Sequence, residues 1–149
     1  MDDSSEYYKM LEEQENLLQF TEFTSETALT LGMIMINRAK LENKKVTMEI
    51  VRYNQKLFFY ASNGARPNAE YVIEGKKRLV NRYYHCSAYI TRKIKENQMR
   101  VDKDMEFNIG AGSFPIIIKN VGIVGTITLS GLDKDHDYIV DAITEYLGL

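Results

Sequence analysis

The sequence is poor in the residues that build stapled, metal-bound or membrane-spanning proteins. It has one cysteine (Cys86), two prolines, two histidines (His85 and His136) and no tryptophan. A lone cysteine cannot close an internal disulfide, and no Cys/His group has zinc-ligand spacing. Neither a disulfide framework nor a structural metal therefore supports the fold, which must rely on packing. No apolar run approaches the roughly 20 residues that cross a bilayer. The start, Met1 to Glu6, lacks the basic and apolar regions of a signal peptide, which sets the expectation of a cytoplasmic protein without membrane contact.

What is present suits one domain spanning residues 1–149. A chain of this length buries roughly 68–70% of the surface its unfolded form exposes, enough for a core of its own. The net charge of −2 hides an asymmetry: residues 1–26 carry eight acidic side chains against Lys9, and residues 76–103 carry nine basic ones against Glu96 and Asp102. Such faces attract each other. The basic stretch with Tyr83, Tyr84 and Tyr89 also resembles a nucleic-acid surface, but the balanced total favours a solvated helix face or complementary patches on neighbouring subunits. Nucleic acid is not the expected partner.

Residues 5–18 read as an acidic amphipathic helix, with Tyr7, Met10, Leu11, Leu17 and Leu18 near helical spacing. Thr24 or Ser25 caps a second helix running to about Leu41. It has two apolar stripes, Ala28-Leu31-Gly32-Met35-Ala39 and Leu29-Met33-Ile36, and so calls for two burials, one on a sheet and one on another helix or subunit. Val46–Tyr53 alternates and pairs with Leu57–Ala61 as a hairpin across Asn54-Gln55. Asn68 is placed to cap a helix containing Tyr71, Val72, Leu79, Val80 and Tyr83, which continues or restarts toward Asn97. Gly110–Leu132 then joins a glycine loop to two apolar strands, Phe114–Lys119 and Val121–Leu129. Gly122 and Gly125 there mark a bulge or a close approach. Asp133 or Asp135 caps the last helix, with Tyr138, Ile139, Ala142, Ile143 and Leu147 inward.

Several segments jointly resemble a bacterial and fungal family grouped with the haem-degrading-like (GlcG/HbpS-like) domains. They are Gln19-Phe20, Ala28–Gly32, Leu57-Phe58, Asn68 with Tyr71, Lys76-Lys77, Gly112–Ile116, Val121–Thr126, Ser130–Leu132 and Asp135-His136. The chain departs from that pattern at Tyr71, where the family has Trp, and at Cys86-Ser87, where it often has Arg-Ser. The resemblance implies an α+β fold, a profilin-like antiparallel sheet of about five strands flanked by helices, assembled as a homo-oligomer. It implies no agreed reaction.

The expected ligand groove lies between Asn68, Tyr71 and Lys76 on one side and Gly112, Ser113, Phe114 and Pro115 on the other, with His136 as its one candidate for acid, base or ligand. Each member also has a plainer role: Asn68 as a cap, Tyr71 as core edge, the glycine loop as a tight turn rather than an anion cradle, and His136 as support for the cap or a subunit contact. No Ser or Cys nucleophile at recognisable spacing accompanies His136. Cys86 beside His85 reads as inert core. Haem enters through the resemblance, with Lys76 and Lys77 for its propionates and His136 for its iron; a small anion is the other ligand considered. The first reading is a self-assembling, non-enzymatic or weakly ligand-binding protein, and the second a haem- or small-anion-binding one. An adaptor for other proteins would rest on fungal relatives alone.

Overall fold

The computed structural model describes residues 3–149. Among them the order is α1 (Asp3–Leu17), α2 (Ser25–Leu41), β1 (Thr47–Arg52), β2 (Gln55–Ala61), α3 (Ala69–Tyr83), α4 (Ser87–Lys95), β3 (Ser113–Ile118), β4 (Gly122–Ser130) and α5 (Asp135–Leu147). The strands form one antiparallel sheet in the order β2-β1-β4-β3, an α+β architecture. The sheet has four strands where about five were expected. At its β3 edge a single residue stands in for the fifth: Phe20 makes a parallel bridge to Ile118, donating to the Ile117 carbonyl (2.8 Å) and accepting from the Lys119 amide (2.9 Å).

Strand alternation separates two faces of different chemistry. Met48, Ile50, Phe58, Phe114, Ile116, Ile127 and Leu129 share one face and form a single cluster with Leu31 and Met35 of α2 and Ile139 and Ile143 of α5. Each such side chain contributes roughly 1.5–3 kcal/mol on burial, so this layer carries most of the stability. On the other face Thr47, Glu49, Ser113, Thr126 and Thr128 are all buried, and α3 covers them. Glu49 there is held by Lys77 (2.7 Å) and Lys56 (3.2 Å).

Local chemistry explains the boundaries. Thr24 caps α2 reciprocally with Thr27, each side chain accepting the other's amide at 3.2 Å. The first hairpin turns on Tyr53 and Asn54, both with positive φ, one residue earlier than the Asn54-Gln55 turn expected; Gln55 already belongs to β2. Between β3 and β4 the register slips so that Ile116 faces Gly125 and Ile117 faces Ile123, leaving Val124 as a bulge. Gly125 is required there, because a Cβ would fall 1.9 Å from the Val51 carbonyl oxygen.

Two expected caps are not made. Asn68 precedes α3 without a side-chain cap, and the Ala69 amide bonds the Arg66 carbonyl instead (3.1 Å). At α5 neither Asp133 nor Asp135 caps the helix; Lys134 occupies the N-cap and the Asp135 carboxylate accepts the Leu132 amide (3.0 Å) from the preceding turn. The helix after Asn68 restarts rather than continues: Tyr84 takes a left-handed conformation (φ 63) that ends α3, and Cys86 leads into α4.

Candidate functional site

Lys76 and Asp135 form the polar centre of the region singled out in the sequence. Both are buried, and lysine is rarely buried unless paired. The Lys76 Nζ donates to the Leu129 carbonyl (2.9 Å) and to Asp135 Oδ2 (3.3 Å). Burial pushes the Asp135 carboxyl above its ordinary value, while Lys76 and the Leu132 amide pull the other way. The glycine loop wraps this pair. Gly112 has φ +118, and a Cβ there would lie 2.8 Å from the Asp135 Cβ, 2.9 Å from the Leu129 oxygen and 3.0 Å from Lys76 Nζ. The loop therefore closes over a cation held by the chain itself, the opposite of an anion cradle.

The neighbouring β3 residues are equally committed. The Ser113 amide donates to Ser87 Oγ (2.9 Å) and its hydroxyl bonds Thr128 (2.8 Å), with no exposed surface. Phe114 is fully buried against the His136 ring, 5.8 Å between centres, and Pro115 is buried beyond it. Lys76 and Gly112 thus meet at Asp135 and Phe114 meets His136 on the apolar face, while Ser113 bonds Ser87 and Thr128 on the polar face. Asn68 and Tyr71 join neither group; they lie exposed at the outer start of α3, with Tyr71 60% exposed.

His136 is turned toward α1, not toward its neighbour Asp135. Its Nε2 meets Gln14 Oε1 at 2.7 Å, which assigns the proton to Nε2; Nδ1 is buried without a partner. Burial holds this imidazole below its ordinary pKa, in the neutral form. Beside it lies a depression of about 430 Å³ walled by Tyr7, Met10, Asp133, Lys134, Asp135 and Asp137, among others.

The second histidine is held by the next residue of the same helix. Glu15 receives His85 Nδ1 on one oxygen and the Cys86 amide on the other, each at 2.7 Å. The hydrogen bond to Glu15 raises the His85 pKa, and its ring stacks on Tyr89 at 4.0 Å. Burial drives the Cys86 thiol far above its usual range and keeps it an inert core group. The acidic α1 lies against the basic α4: Arg92 sits 4.3 Å from the Tyr7 ring centre, and Ser4 and Tyr8 both donate to Glu96. Gln14 and Glu15 are the partners of both histidines; Glu15, which helical spacing places outside with Glu12 and Glu13, is buried instead. The two partners lie 122 and 70 positions from those histidines, and local patterning carries no signal at that range.

The family model for haem-degrading HbpS-like proteins matches residues 23–144, from the end of the α1–α2 connection into α5. The chain belongs to the HbpS-like family. It is 34% identical over 146 residues to a UPF0303 protein of Streptomyces coelicolor, covering 93% of this chain and 92% of the relative. Among solved structures, the crystal structure of the Ybr137w protein superposes with a TM-score of 0.83 at 25% identity, covering 95% of this chain and 87% of that one. A Streptomyces reticuli HbpS variant gives 0.69 at 21% identity, over 88% and 90% of the two chains, and shows the shared fold. No helix among the described residues is long and apolar enough to cross a membrane.

The family's description implies haem, and the residues around His136 do not fit it. One ring nitrogen is bound to Gln14 and the other is sealed from the surface. Lys76 and Lys77, the residues expected to meet propionates, are engaged with Asp135 and with Glu49 and Glu74. Asp133 and Asp137 outweigh Lys134 in the wall of the adjacent depression, where Asp135 is already paired with Lys76, and this excess has the wrong sign for a carboxylate-bearing ligand.

Proposed function

We propose that this HbpS-like chain works as a homo-oligomeric binding and assembly protein, joined through the outer face of α2. One observation carries the reading: Leu29, Met33 and Leu41, spaced four and eight residues apart along α2, stay 48%, 42% and 88% exposed. Of the second apolar stripe only Ile36 turns inward. A helix apolar on two faces needs two partners, and within one copy α2 has a partner for one. A binding role is further supported by the sealed state of Ser113 and Cys86, which leaves neither available as a nucleophile. In this reading Lys76, Gly112, Ser113, Phe114, Pro115 and His136 are the joint that fixes α5 on the sheet, while Asn68 and Tyr71 remain at the surface.

Light scattering at micromolar concentration tests the assembly: a multiple of the 17.2 kDa chain mass is expected, and a monomer would overturn it. The haem reading has its own test. Hemin added to the wild type and to His136→Ala is expected to give the same spectrum in both; a Soret shift present in the first and lost in the second would reinstate the haem role.

A further inference from the structure

Among the described non-glycine residues, positive φ occurs at Asn43, Tyr53, Asn54, Tyr84, Asn97 and Asn120. Asparagine tolerates this region because its short amide bonds the local backbone; a bulky aromatic does not. The two exceptions, Tyr53 (φ 50) and Tyr84 (φ 63), come from a hairpin turn and a helix end far apart in sequence, yet both line one depression of about 360 Å³. Each is 69% exposed, and the Arg52 guanidinium lies 5.8 Å from the Tyr53 ring centre. Val51, Ile123 and Thr126 contribute to its lining from β1 and β4, and Asn54 and Asn81 add amide groups. No charged side chain lines it among the described residues.

Glycine or asparagine would relieve the backbone at both positions, so two strained tyrosines at one cleft point to a use for their rings. We propose that this cleft binds an uncharged ring with a flat, weakly polar face and a hydrogen-bonding edge, such as a nucleobase or a pyranose. The tyrosine rings supply stacking surface, Tyr53 with Arg52 beside it, and the Asn54 and Asn81 amides read the ring edge. The volume of about 360 Å³ is ample for one such ring.

Saturation-transfer NMR with adenosine and uridine in one arm and methyl β-glucoside in the other tests the site and separates the two sources. At least one arm is expected to show saturable transfer to ring protons. Tyr84→Gly and Tyr53→Asn, which suit the left-handed backbone, should each weaken it by about tenfold while the melting temperature stays level or rises. Absence of transfer in both arms at millimolar ligand would overturn the proposal, as would unchanged binding in both variants. A change in assembly mass caused by Tyr84→Gly would also overturn it, because the cleft would then be a contact between copies. The α2 stripe lies on another element, so failure here leaves the assembly reading standing.

Discussion

His85 and His136 each hold α1 through adjacent residues, Glu15 and Gln14, but their pKa values are moved in opposite directions, and this makes the grip on α1 dependent on pH. His85 keeps its proton longer when folded, so its contribution is complete below its unfolded value of 6.5 and fades as pH rises through the higher folded value. His136 stays neutral when folded, so acidification below 6.5 protonates the unfolded chain first and lowers stability. The chain has only these two imidazoles, and their proton NMR signals are expected to titrate on opposite sides of 6.5. Glu15→Gln should bring the upper value down toward 6.5, and coincident titrations in the wild type would contradict the assignment. Lys76→Met leaves Asp135 buried without its cation and should cost about 3–5 kcal/mol in denaturant unfolding. A loss below about 1 kcal/mol would mean the pair is not closed in solution. Residues of this kind were half legible: Lys76, Gly112, Phe114 and His136 stood out by type and neighbourhood. Their actual partners, Leu129, Asp135 and Gln14, depend on chain segments that meet only after folding.

The elements followed periodicity wherever one face was apolar and one polar. The β1 alternation of Met48 and Ile50 against Thr47 and Glu49 was readable for that reason, and α2 through its two apolar stripes and the Thr24 cap. The break between α3 and α4 was not, since it depends on Tyr84 entering a backbone region that residue type argues against. The four strands are those that residue alternation marks; the count of about five came from the family resemblance, and at the β3 edge Phe20 makes only a single bridge. Gly112 sets how closely β3 and α5 approach. Gly112→Ala combines positive-φ strain of about 1–2 kcal/mol with a collision against Asp135 and Leu129, so its total cost should exceed that strain alone. Thermal melts check this, and a change smaller than about 0.5 kcal/mol would show that the loop relaxes freely.

At the scale of the whole molecule, the sheet has one face for a conventional core and one for a buried polar layer, and helices cover both. Among the described residues the outer α2 stripe stays open, as does the edge of β2, whose sheet neighbour is β1. The sequence signalled the stripe through its two apolar periodicities, but not which face would be left uncovered, because that depends on where α5 docks. Copies are proposed to meet on Leu29, Met33 and Leu41. Sedimentation velocity of Met33→Glu beside the wild type tests this contact most directly. Surface substitutions usually shift stability by less than about 0.5 kcal/mol, so the variant should keep its circular dichroism and melting temperature. It is expected to sediment as a folded monomer under conditions where the wild type sediments as an oligomer. An oligomer of unchanged size in the variant would contradict the account.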